Sequence, residues 1–204
     1  MSTSKRGGSG DRGTFDAPLK GAVERLIRSV TPTSEGLCGA LDLVNTPGRV
    51  AKMYEEEVLS SYRPGAEEAL VKSFTTFPSV SDDMIVIGPT PFASTCAHHM
   101  LPFVGDAWVG YIPNSHIVGL SKVARVVDFY ARMLQVQERM TSQVADFIAT
   151  RLEARAVVVQ VHARHMCMEI RGVRKPGVVT KTSALRGLAF SDAGVRSEFY
   201  ALMK

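Results

Sequence analysis

The chain has 204 residues, of which 45% are hydrophobic, enough to bury a full core in one domain with room for a helical annex. No apolar run reaches the ~20 residues that cross a bilayer. Residues 1–13 carry basic charge without an apolar stretch, so no secretory leader is expected and the expected compartment is the cytoplasm. The net charge of +4 is modest and sits partly on Lys5, Arg6 and Arg12. That is thinner than the basic stripe of a nucleic-acid binder and equally compatible with a small phosphate-bearing molecule.

Residues 1–15 are rich in Gly and Ser and are predicted to form a disordered tail. Leu19, Val23, Leu26, Ile27 and Val30 recur at helical spacing, which predicts a helix over 18–30, broken by the segment 31–36. Thr46-Pro47 reads as an N-cap followed by proline at the first helical position. The helix it opens carries Val50, Met53, Tyr54 and Val58 on one face. A short helix is predicted over 66–74. The pattern then turns to strands. Residues 84–87 form a short apolar run stopped by Gly88-Pro89, and 104–112 a second run stopped by Pro113-Asn114. Two long helices follow. One starts at Ser121 and buries Val123, Val126, Val127, Tyr130 and Met133. The other spans 137–152 and buries Met140, Val144, Phe147, Ile148 and Leu152. Strands are predicted over 156–163 and 178–185, and a terminal helix over 192–203. Two strands, two helices and two strands behind a helical annex predict an α+β fold. Its expected parts are a tail over 1–15, a helical region over 16–78 and a main domain over 79–204.

Three cysteines, Cys38, Cys96 and Cys167, make a poor disulfide framework without a secretory leader. Cys38 has no polar company and reads as a small buried hydrophobe. Cys96 opens the run Cys96-Ala97-His98-His99, where a thiolate and an imidazole can converge on one zinc ion across a tight turn. A buried cysteine beside surface histidines is an equal alternative for this run alone. The segment 165–171 changes the balance. If it is extended, alternation puts His165, Cys167, Glu169 and Arg171 on one face and Met166, Met168 and Ile170 on the other. Solvated faces seldom hold a cysteine beside a histidine. Taken together, the clusters fit three protein ligands plus a water, which zinc can ionise near neutral pH. Spacing leaves His98 and His99 interchangeable as ligand. Histidines not used as ligands can move protons.

Two further runs carry charge. In Gly119-Leu120-Ser121-Lys122-Val123-Ala124-Arg125, Ser121 is a candidate N-cap, and Lys122 and Arg125 share the side of the helix opposite the valines. The run suits a phosphate at the positive end of the helix dipole; taken alone, an ordinary solvated basic face is the simpler reading. Glu138 near the next helix start is either a carboxylate favoured by the dipole or an acceptor for the paired N–H donors of a guanine edge. The residues alone do not choose.

Several segments, in this order, resemble GTP cyclohydrolase I. They are Thr46-Pro47-Gly48-Arg49-Val50-Ala51-Lys52-Met53, Ser94-Thr95-Cys96-Ala97-His98-His99, Gly119-Leu120-Ser121-Lys122 with Arg125, Gln135-Val136-Gln137-Glu138-Arg139, and His165-Met166-Cys167-Met168 with Arg171-Gly172. The resemblance runs from Thr46 to Phe190. It implies a T-fold (tunnelling fold) domain with an antiparallel sheet and two long helices, assembled as a ring-shaped homodecamer with sites between subunits. It implies a hydrolase acting on a cyclic amidine, converting GTP and water to 7,8-dihydroneopterin triphosphate and formate. Cys96, His99 and Cys167 would be the ligands of Zn2+, and His98 and His165 the proton-transfer residues. Gln137 and Glu138 would read the guanine. Ser121, Lys122, Arg125, Arg171 and Arg49 would line the ribose-triphosphate end. Folate, tetrahydrobiopterin and 7-deazapurine routes all start from that product.

Two positions depart from the family pattern. Ala97 stands where Glu is usual, and Gly48 where His is usual. Glu169, on the face expected to be reactive, is expected to replace part of the charge missing at Ala97. Other readings remain open. One is a diverged relative that opens the imidazole ring but stops before the pterin forms. Another is a non-catalytic zinc protein with a basic tail, which leaves Gln137-Glu138 and Ser121-Lys122 without a role. A third is a T-fold nitrile reductase, which leaves the Cys96, His99 and Cys167 set unexplained.

Overall fold

The computed structural model describes residues 16–31 and 43–204. The expected tail and the reading of Cys38 lie outside the described residues. The chain divides into two compact units, one through Glu56 and one from Glu57.

In the first unit, α1 (Asp16–Val30) packs beside α2 (Thr46–Met53). Asn45, not Thr46, takes the N-cap position, and Pro47 sits in the first turn, where its missing N–H costs nothing. The chain then widens into a π-helical turn, Tyr54–Val58. Val50, Tyr54 and Val58 of the expected stripe are half-buried, whereas Met53 is exposed; Pro47 and Ala51 are the buried residues of α2.

The second unit opens with α3 (Ala66–Ser73) and then alternates strands and helices. These are β1 (Thr76–Pro78), β2 (Ile85–Cys96), β3 (Pro102–Ile112), β4 (His116–Val118), α4 (Leu120–Ala131), β5 (Leu134–Gln135), α5 (Gln137–Leu152) and β6 (Ala156–His165). The one-turn helix α6 (Met166–Glu169), β7 (Val179–Gly187), α7 (Leu188–Ser191) and α8 (Ala193–Leu202) complete it. One sheet runs in the order β5-β2-β3-β6-β7, antiparallel throughout except for the short parallel β2–β5 pair. β1 and β4 form a separate antiparallel ribbon. β1, β4 and β5 span two or three residues each, too few to print an alternation in the sequence, and were not anticipated. Among the described residues, no helix is long and apolar enough to cross a membrane.

Alternation along β3 and β6 divides the core. Ala107, Val109 and Tyr111 of β3 and Val157, Val159, Val161 and Ala163 of β6 share one cluster with Val123, Val126 and Val127 of α4 and Met140, Val144 and Ile148 of α5. Each fully buried valine, isoleucine or methionine there contributes about 1.5–3 kcal/mol. The next residues in register, Ala156, Val158 and Ile112, belong to a second cluster with Ala189 of α7 and Phe199 of α8. Arg186 of β7 reaches Asp146 of α5 with two hydrogen bonds of 2.6 and 3.0 Å, tying the sheet edge to the helix.

Gly88-Pro89 does not end β2, as the sequence had led one to expect. Pairing passes from Ile87↔Val109 to Thr90↔Ala107, three steps on β2 against two on β3, so the dipeptide is absorbed in a bulge. A Cβ at Gly88 would lie 2.6 Å from Trp108 Cδ1, so the close approach requires glycine.

Gly110 is another glycine that packing demands. A Cβ there would lie 2.4 Å from Cδ2 of the fully buried Phe199. Gly110→Ala is expected to displace the ring and cost about 1–3 kcal/mol, and Phe199→Ala about 3–5 kcal/mol. Because one clash serves both, the double variant should melt well above the additive expectation. Thermal melts of the four proteins check this, and strict additivity would refute it.

Candidate metal and proton-transfer site

The β2–β3 hairpin presents the first half of the site. Cys96 N–H donates to Leu101 O and Met100 N–H to Cys96 O, both at 2.8 Å, with Met100 at φ +54. These bonds close a tight turn over residues 97–101. Ala97 N–H donates to Gln135 O at 2.8 Å, anchoring the turn to β5. Cys96 is buried at the strand end, and Ala97, His98 and His99 are exposed above it.

The second half comes from the end of β6, and here the expected strand gives way. β6 stops at His165, and residues Met166–Glu169 form one helical turn, closed by Ile170 N–H to Met166 O at 3.1 Å. The alternation expected over 165–171 is therefore absent. Arg164 and Glu169 supply a physical reason: two hydrogen bonds, Nε to Oε1 at 2.8 Å and Nη2 to Oε2 at 2.7 Å, join their side chains. An extended segment would separate their backbones by roughly 16 Å; a helical turn brings them together. The hydrogen bonds from Arg164 hold the Glu169 carboxyl below its ordinary range. The charge of Glu169 is thus met by Arg164 rather than left to replace a carboxylate at Ala97.

Cys96, His99 and Cys167 each bring a ligand atom within 4.8 Å of the other two. Cys96 Sγ lies 3.9 Å from His99 Nδ1. A tetrahedral zinc with bonds of ~2.3 Å to sulfur and ~2.0 Å to nitrogen holds ligand atoms about 3.5–3.8 Å apart. The set fits that ion in donor chemistry and in span. His98 Nδ1 is also 3.9 Å from Cys96 Sγ, yet His98 does not join the three. Burial, then the neighbouring Cys96 sulfur, push the Cys167 thiol above its ordinary range. Two sulfurs and an imidazole within one ion's span are a donor set of the kind that suits zinc.

His165 stands at the last register position of β6, opposite Phe103, and its ring stacks on that phenyl at 4.7 Å and 6°. Burial lowers its pKa, against a smaller opposing effect of the Glu138 carboxylate. His165 Nε2 is 2.7 Å from Gln137 Oε1. Gln137, the first residue of α5, is 1% exposed, and its Nε2 lies 3.0–3.1 Å from Val161 O, Thr180 O and Thr182 Oγ1. Those acceptors consume both amide protons. Gln137 therefore has no donor left for a ligand, and the guanine-reading role expected of it does not fit its side chain. Glu138, the next residue, is exposed. The contributions of Phe103, Thr141 and Thr182 were not anticipated; only the alternating Thr180 and Thr182 hint at a polar row in the sequence.

The cationic residues are distributed over three elements. Ser121, Lys122 and Arg125 lie in the first turns of α4, but the N-cap is Gly119, not Ser121, because Lys122 N–H already closes on Gly119 O at 2.8 Å. Arg171 follows α6, near enough to favour the Cys167 thiolate. Among the described residues, none of Lys122, Arg125 and Arg171 has a carboxylate partner. Arg49 is exposed on α2 in the first unit.

The sequence profile of GTP cyclohydrolase I matches residues 22–204. The GTP cyclohydrolase 1 of Mycobacteroides abscessus is 44% identical over 194 residues, covering 93% of this chain and 90% of its own. That of Streptomyces avermitilis is 45% identical over 201 residues, covering 96% and 94%. That of Pelotomaculum thermopropionicum is 43% identical over 189 residues, covering 91% and 95%. On these matches the chain belongs to the GTP cyclohydrolase I family of enzymes and has its T-fold.

Proposed function

We propose that this chain, loaded with zinc, converts GTP and water to 7,8-dihydroneopterin triphosphate and formate, in the cytoplasm and as a homodecamer. The observation that carries the reading is the convergence of two sulfurs and one imidazole within 4.8 Å, with His165 at the end of the strand that leads to Cys167. Cys96, His99 and Cys167 would hold the ion, which when bound supplies Lewis acidity and brings the ionisation of a water toward neutral pH. His98 and His165 accept and return protons as the imidazole ring opens and formate leaves. Glu138, exposed at the first turn of α5, accepts from the N1–H and exocyclic amine of guanine. Ser121, Lys122, Arg125, Arg171 and Arg49 hold the ribose triphosphate. Among the described residues Lys122, Arg125 and Arg171 make no ion pair, which supports that assignment, since fixed cations without carboxylate partners favour an anionic ligand. A main domain from residue 79 behind a helical region remains the proposed organisation of the chain, and the product would feed a folate, biopterin or 7-deazapurine route.

The two departures bear on the chemistry differently. A side chain at Gly48 would meet nothing within 4 Å, so packing within the described residues does not force glycine there. Ala97 sits in the metal-binding turn with its N–H committed to Gln135, leaving a methyl group where a carboxylate would bring negative charge beside the site.

Incubation of the zinc-loaded protein with GTP is expected to release formate and pterin in equal amounts, read by formate assay and by pterin fluorescence. Cys96→Ser and Cys167→Ser should lose both metal and turnover. Formate without pterin would favour the relative that stops at ring opening, and metal retention by both serine variants would discard the site.

The Arg164–Glu169 brace yields a separate expectation. Glu169→Ala should weaken zinc affinity by about tenfold, as loss of a support behind a ligand does, measured by competition with a chromophoric chelator. Its effect on turnover should add to that of Ala97→Glu within about 0.5 kcal/mol. A coupling larger than this would revive charge replacement by Glu169.

A further inference from the structure

Two residues of the run Gln135-Val136-Gln137-Glu138-Arg139, Gln135 and Arg139, have no part in the proposed reaction. Gln135 is 1% exposed, so its amide must find its partners within the protein. Its Nε2 donates to Tyr130 O at 3.0 Å, one of the last carbonyls of α4, which has no partner inside the helix. Its Oε1 accepts from Arg139 Nε at 2.9 Å and from Val136 N–H at 3.3 Å. A carbonyl cannot donate and a guanidinium cannot accept, so these partners fix which way the amide lies. The second amide proton goes to Gln143 Oε1 at 2.7 Å. One buried side chain thus joins the end of α4 to two turns of α5, with every hydrogen-bonding group in use.

The main chain of the same residue supports the turn that carries His99. Thr95 pairs with Leu134 and Cys96 with Gln135, and Ala97 N–H donates to Gln135 O at 2.8 Å. The bonds from Cys96 N–H to Leu101 O and from Met100 N–H to Cys96 O stay inside the β2–β3 hairpin. The Ala97 bond crosses to β5, a strand of two residues with little ladder of its own. Side chains hold that strand instead. Arg139 grips both of its residues, Gln135 through Oε1 and Leu134 through its carbonyl, which accepts from Nη2 at 2.7 Å. We infer that Gln135, completed by Arg139, is a positioning residue for the metal-binding turn: its side chain roots β5 in α4 and α5, and its carbonyl holds Ala97 between Cys96 and His99. The inference rests on the proposed metal role of Cys96, His99 and Cys167. With β5 loosened, the turn pivots about the end of β2 and takes His99 with it, while Cys167, carried by β6 and α6, stays in place. The donors are unchanged but their separations spread, so metal binding weakens.

Gln135→Met keeps the length of the side chain and removes its hydrogen bonds. Two readings test it against wild type: hydrogen–deuterium exchange at the Ala97 amide, by mass spectrometry with zinc saturating, and zinc affinity by competition with a chelator. In Gln135→Met the Ala97 amide should exchange about tenfold faster and zinc should bind about tenfold more weakly. Amides of the β3–β6 pairing should stay within about twofold of wild type, which a general loss of stability would not allow. Arg139→Met, which spares the other bonds of the amide, should move both readings in the same direction by a smaller factor. The double variant should fall short of the product of the two, because the residues act as one unit. An unprotected Ala97 amide in the wild type overturns the inference even if no variant folds. So does a folded Gln135→Met protein that keeps either the protection or the zinc affinity; should that variant not fold, Arg139→Met decides by the same two readings. A wild type that binds no zinc, yet loses the Ala97 protection in Gln135→Met, upholds the anchoring of the turn and overturns the metal reading instead.

Discussion

The pairing register of β3 with its two neighbours is the constraint on which the site depends. β2 and β3 form a hairpin, so Cys96 at the end of β2 lies beside the start of β3. β6 runs antiparallel to β3 with Phe103 opposite His165, so β6 ends at that same edge. Two cysteines far apart in sequence thereby meet without either lying on a long loop. A slip of one residue in the β3–β6 pairing would turn every β6 side chain to the other face. His165 would leave Phe103 and Gln137, and the valines now packed on α4 and α5 would leave the core. The same hydrophobic burial that stabilises the domain therefore enforces the geometry of the polar site at its end.

Around that edge the electrostatics are unbalanced in a consistent sense. The Cys167 thiol is pushed up by burial and by Cys96, and Lys122, Arg125 and Arg171 have no acidic partners among the described residues. Glu169, two residues beyond Cys167, is already engaged by Arg164. The metal ion and the triphosphate of the proposed function would meet these two imbalances. Their binding would add stability to the folded state by mass action, so that site and fold would support one another.

The long helices were legible because the 3.6-residue repeat of Val123, Val126 and Val127, and of Met140, Val144 and Ile148, persists over several turns. The residue types of the candidate metal cluster were legible as well, but spacing did not say which histidine joins the two cysteines. His98 and His99 are equally distant from Cys96, and only the position of Cys167, set by sheet register, separates them. The segment 165–171 was misread because four residues are too few to distinguish alternation from one helical turn. The deciding interaction, Arg164 with Glu169, joins the two sides of that turn. The Thr141–Thr182 contact was illegible for a further reason: it joins residues 41 apart whose meeting depends on how α5 lies against β7.

Gln137 and Glu138 illustrate how adjacent polar residues at a helix start acquire opposite functions. A helix advances about 100° per residue, so when one neighbour faces the sheet the next faces solvent. Gln137 faces inward, and burial obliges its amide to find four partners; the sheet supplies two carbonyls, a threonine and the imidazole of His165. Glu138 faces outward, where its carboxylate is open to solvent at the positive end of the helix. Exchanging the two would bury an unpaired charge against carbonyl oxygens and leave a neutral amide facing solvent. The order Gln137-Glu138 follows from which side of α5 lies against β6 and β7, and so from the same packing that sets the sheet.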